Sequence, residues 1–94
     1  MSGQPKLVLS KSLLNKIKMD FDEHDLELVV SELESVTLEH VMAGSQVNLD
    51  NTWVAILQLS KGNLSELDRL VDAAKLDFRD VIYWAALENE NSNT

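Results

Sequence analysis

Apolar residues recur along this chain at the three-and-four spacing of helices, and most runs begin at a residue able to cap one. The last third is clearest: Leu64, Leu67, Leu70, Val71 and Ala74 follow Asn63, while Phe78, Val81, Ile82 and Ala85 follow Asp77. Asn and Asp there accept hydrogen bonds from free amides of the first turn, which predicts helices over 64–75 and 78–88 joined by a tight corner. Gly62 ends the preceding helix, since a residue without Cβ readily takes the left-handed conformation that satisfies the last carbonyls. That helix, 48–60, carries Leu49, Trp53, Val54, Ile56 and Leu57, too wide a set for one surface stripe, and is expected at the centre of the fold.

The first half is less regular. Ser10 caps a helix over 11–19 with Leu13, Leu14 and Ile17 on one stripe, and Asp22 caps the next, where Leu26, Val29, Val30 and Leu33 recur at i, i+3, i+4 and i+7. Thr37 starts a short third helix with Leu38, Val41 and Met42 that stops near Gly44, and 44–48 is a connection. The expected fold is all-α, a compact bundle of five or six short helices. Residues 10–88 form its single domain, 1–9 a loose lead-in, and 89–94 a polar, disordered tail. Neither an internal repeat nor a period-two run argues for another class.

Composition narrows the function classes. The 94 residues hold no cysteine, which removes disulfides, thiolate chemistry and sulfur-ligated metal sites. Sixteen acids against eight basic residues give a net charge of −8, which repels phosphate backbones and anionic lipid; neither a nucleic-acid nor a membrane partner is expected. No leader-like or membrane-spanning apolar run is present, so a cytoplasmic protein is expected. Charge is also uneven: residues 1–19 carry four lysines and no acid, residues 20–40 eight acids and no Lys or Arg.

Over residues 55–86, an apolar helix ending at Gly62-Asn63, a Leu-rich helix and then Asp77-Phe78-Arg79-Asp80-Val81 succeed one another. This order resembles a family of small uncharacterised bacterial helical proteins. The resemblance implies a shared all-helical fold and leaves activity open; residues 1–45 lie outside it.

Candidate chemistry is sparse. Asp20-Phe21-Asp22-Glu23-His24-Asp25 has the alternating acids of a calcium loop without its glycine or terminal bidentate acid, so helix capping accounts for it better. His24 and His40, sixteen apart, match no ligand spacing and are expected at exposed helix starts. The 64–88 corner has the outline of a helix-turn-helix, but Arg79 is the sole basic residue of the second helix, flanked by Asp77 and Asp80. No catalytic residue, metal or cofactor is assigned.

Two features favour an interface. Arg79 opposes the helix dipole from the first turn, and is expected to bridge Asp72 or Asp68, or to meet a partner. Tyr83, Trp84 and Leu87 lie off the inward stripe on a flank that either residues 7–9 or another molecule must cover. The reading is therefore a non-enzymatic interaction or regulatory module, contacting a protein partner or itself as a homodimer through Arg79, Tyr83, Trp84 and Leu87. Two alternatives stand beside it: an acidic mimic of nucleic acid that binds a basic protein, and an enzyme with an unrecognised carboxylate site.

Overall fold

Ser10 starts the first helix as its sequence predicts: Oγ accepts from the Leu13 amide at 3.2 Å. In the computed structural model, which describes residues 9–41 and 44–92, four α-helices follow in order. They are α1 (Lys11–Asp20), α2 (Leu26–Glu34), α3 (Gln46–Ser60) and α4 (Leu64–Ser92), with single 3-10 turns at Glu23–Asp25 and Leu38–His40. All regular structure among the described residues is helical.

The count is four rather than the expected five or six, for two local reasons. The segment after Thr37 makes one 3-10 turn and no more, because Val41 is already extended (φ −116°, ψ 156°); Met42, assigned to this helix by the sequence, lies outside the described residues. The two C-terminal helices run as a single 29-residue element, broken at Asp77 (φ −160°, ψ 100°). The tail also departs from expectation. α4 continues to Ser92, well past residue 88. Its last turns are tied to α3 and the joint after it. Gln58 Nε2 lies within reach of the Ala85 carbonyl (3.1 Å) and Asn89 Oδ1 (3.0 Å), and Lys61 Nζ is 2.9 Å from Glu88 Oε2.

Capping residues differ in detail too. Asp22 does not hold the first turn of α2 through its side chain, since the chain enters by the 3-10 turn and the Asp25 amide bonds the Asp22 carbonyl at 2.9 Å. α3 begins two residues earlier than predicted because Ser45 Oγ accepts from the Asn48 amide at 3.2 Å. Asn63 caps α4 as expected, its Oδ1 accepting from the Glu66 amide.

The α3–α4 joint starts at Lys61, which itself takes the left-handed conformation (φ 50°, ψ 39°), followed by Gly62 at φ 79°. So short a turn folds α4 back along α3, and this pair forms the most extensive packing in the molecule. Leu49, Ile56 and Leu57 of α3 are buried with Leu67, Leu70, Val71, Ala74 and Val81 of α4; α1 adds Leu13 and Ile17, and α2 adds Val29 and Leu33. Trp53 is central, with no accessible surface, and its indole N–H donates to the Leu33 carbonyl at 2.7 Å, joining α3 to α2. Burial of an indole requires such a partner for its N–H.

Candidate functional sites

Three groupings of exposed or chemically competent residues stand out on this frame. The first is the outer flank of α4. Phe78, Val81 and Ala85 are buried as predicted and Ile82 packs partly buried against the core, which turns Arg79, Asp80, Tyr83 and Trp84 outward. Tyr83 is 62 %, Trp84 37 % and Leu87 40 % exposed. Residues i, i+3 and i+4 are neighbours on a helix surface, so Tyr83, Trp84 and Leu87 form one apolar strip, with Arg79 a turn before Tyr83. Leu7 and Val8, the expected cover, lie outside the described residues; Leu9 is buried.

Arg79 reaches neither Asp68 nor Asp72. Its fork meets Asp77, Nε to Oδ1 at 3.0 Å and Nη2 to Oδ2 at 3.1 Å, while its amide donates to the same Oδ1 at 3.1 Å. Asp77 is already turned over the second half of α4 as a cap, which places its carboxylate two residues back in the fork's path. The side-chain bond from Arg79, and then its amide, hold the Asp77 carboxyl below the ordinary carboxylate range, and the carboxylate raises Arg79. A cation that would oppose the dipole is thus partnered at the same helix end.

The second grouping is Asp22, His24 and Asp25, whose ligand atoms lie within 4.8 Å of one another. His24 Nε2 is 3.7 Å from Asp25 Oδ1, and Asp22 and His24 are exposed. Two exposed groups and one half-buried carboxylate at a single 3-10 turn lack the enclosing donors that hold a cation.

The third is a cleft of about 330 Å³ between the end of α2, the Leu38–His40 turn and α3, with Val36, Leu38, Leu49 and Trp53 as apolar lining and Glu34 and Glu39 among its polar residues. Beside it the fold makes a pairing that sequence reasoning missed. Thr37 Oγ1 and His40 Nδ1 are 3.3 Å apart, in outline a hydroxyl nucleophile and its base. Both are occupied by a capping box: Nδ1 accepts from the Thr37 amide at 3.0 Å, and Oγ1 accepts from the Glu39 amide at 3.3 Å. Among the described residues no group orients the other ring nitrogen. The arrangement therefore holds a turn rather than activating a hydroxyl. Capping by a histidine at the third position is a variant of the usual Glu or Gln, which is why the pattern Thr-Leu-Glu-His did not announce it.

Among the described residues no helix is long and apolar enough to cross a membrane. Comparison with protein-family models, curated proteins and solved structures finds no match to this chain.

Proposed function

We propose that the chain is a non-enzymatic interaction module that pairs with a second copy of itself through the outer flank of α4. The observation carrying this reading is the contiguous exposure of Tyr83, Trp84 and Leu87 on a helix whose opposite face buries Phe78, Val81 and Ala85 in the core. Tyr and Trp offer a large apolar body with a polar tip and are enriched in the buried centres of interfaces. Charge supports a two-fold, antiparallel pairing: with the axis between Tyr83 and Ala86, Arg79 of each copy stands opposite Glu90 of the other, offsetting part of the repulsion between two chains of charge −8.

Sedimentation equilibrium over a range of about 10 to 500 μM tests it, since a small interface of this kind gives dissociation constants in the micromolar range. The expected result is a reversible dimer weakened by Tyr83→Ala or Trp84→Ala more than by any single charge change in residues 20–40. Glu90→Arg should also weaken it, with Arg79→Glu restoring part of the loss in the double variant. A monomer throughout the range refutes the reading.

A further inference from the structure

The acids around the end of α2 stand without a cationic partner among the described residues. A helix C-terminus carries partial negative charge and ordinarily attracts Lys, Arg or His⁺. α2 instead finishes Glu32-Leu33-Glu34 with no basic residue in its last turn. Glu39 follows on the next turn, and no Lys or Arg occurs between Lys18 and Lys61. Among the described residues the Glu34 and Glu39 side chains take part in no ion pair or hydrogen bond. Both border the cleft in which Leu38, 42 % exposed, adjoins Val36 and Leu49.

The carboxylate of Glu34 at the negative end of the α2 dipole and that of Glu39 on the following turn, beside an exposed aliphatic side chain, form a surface complementary to a cation carried next to an apolar group. Local arrangements that oppose stability are expected where function requires them. We propose that this cleft docks a short basic segment of a partner protein. An aliphatic side chain of that segment rests against Leu38, and an adjacent Lys or Arg lies between Glu34 and Glu39 at the end of α2. About 330 Å³ is at the small end of ligand pockets, enough for one anchoring side chain and a lysine stem rather than a whole helix. The surface is separate in sequence from the α4 flank, and the proposal does not depend on self-association.

The test uses the full chain and a fluorescein-labelled hexapeptide of alternating lysine and leucine, followed by anisotropy and by backbone amide resonances. Expected is saturable binding that shifts the amides of residues 34–39. The pair Glu34→Gln with Glu39→Gln should weaken it about fivefold, as loss of two partly solvated ion pairs implies. Leu38→Ser should weaken it to a similar degree. Removing the same charge elsewhere, Asp22→Asn with Glu23→Gln, should change affinity by less than about twofold, and Trp84→Ala should leave it unchanged. The proposal is overturned by equal losses from the two charge pairs, by equal binding of a glutamine–leucine hexapeptide, by shifts that avoid residues 34–39, or by absent binding. Self-association that Glu34→Gln abolishes would likewise overturn it, by showing a second copy to be the occupant. Thermal melting supplies a separate readout: removing Glu34 and Glu39 should hold or raise the midpoint, and a lowered midpoint would mean that these acids serve the fold.

Discussion

Replacing Gly62 with alanine should be far more damaging than the usual loss of a helix-terminating glycine. Its φ of 79° alone strains a residue with a side chain by about 1 kcal/mol. The larger effect is steric: a Cβ built at Gly62 lies 2.5 Å from the carbonyl oxygen of Asp20, the last residue of α1. An ordinary close carbon–oxygen contact is about 3.3 Å, so α1 or the joint must move by roughly 0.8 Å. The obstacle is backbone, which cannot rotate aside, and overpacking of this kind costs about 1–3 kcal/mol. Reduced freedom of the unfolded chain returns about 0.4–1 kcal/mol. The net expectation is about 2–3 kcal/mol out of a total of about 5–14 for a domain of this length. Urea denaturation followed by circular dichroism should show the midpoint falling by about 2 M. Gly44→Ala is the internal control: φ is 56° there, yet a Cβ meets nothing within 4 Å, so only the strain should appear. Equal losses at the two glycines would refute the claim that α1 is seated against the α3–α4 joint.

Trp53→Phe should cost about 1–3 kcal/mol, because the buried Leu33 carbonyl keeps only the Val36 amide of its two donors and a small void opens; a loss below about 0.5 kcal/mol in urea unfolding would show that the indole bond adds nothing to the packing. His40→Ala should cost about 1 kcal/mol through the broken capping box, whereas His24→Ala should leave the midpoint unchanged, which thermal melts distinguish. Acid should destabilise the fold with a definite sign. The carboxyls of Asp77, Glu66 and Glu88 are lowered by hydrogen bonds from Arg79, Arg69 and Lys61 respectively, so what they contribute is present above the ordinary carboxylate pKa and is lost as pH falls through the depressed values. Melting temperature should therefore drop below about pH 4, with a shallower drop when all three are replaced by amides.

The helical class and the inward stripes were legible because they depend on spacing within one segment. Ser10, Asn63 and Asp77 cap where a short polar side chain precedes a periodic run, and Leu67, Leu70 and Val81 are buried where the period puts them. Features set by distant contacts were not legible. Nothing near Glu88 shows that Gln58 and Lys61 will tie down the last turns of α4, so its polar last residues read as a tail. Three neighbouring acids after Asp20 obscured a 3-10 entry to α2 that only the backbone bond from Asp25 to Asp22 defines. The Glu34–Leu38–Glu39 cleft needs α3 folded across the end of α2, which is fixed by the Trp53 bond to a carbonyl 20 residues away. A cation in the first turn signals that Arg79 needs a partner, but a bond reaching back only two residues exists because Asp77 leaves the helical conformation.

The contrast between Trp53 and Trp84 gives the molecule a pair of built-in optical reporters. One indole is sealed from water with its N–H bound to a carbonyl, and the other, on α4, is partly solvated. A neutral collisional quencher such as acrylamide reaches the second readily and the first only when the domain opens. The shielded fraction of the emission therefore follows the interior, and the accessible fraction follows whatever settles on the α4 flank, in one unlabelled sample.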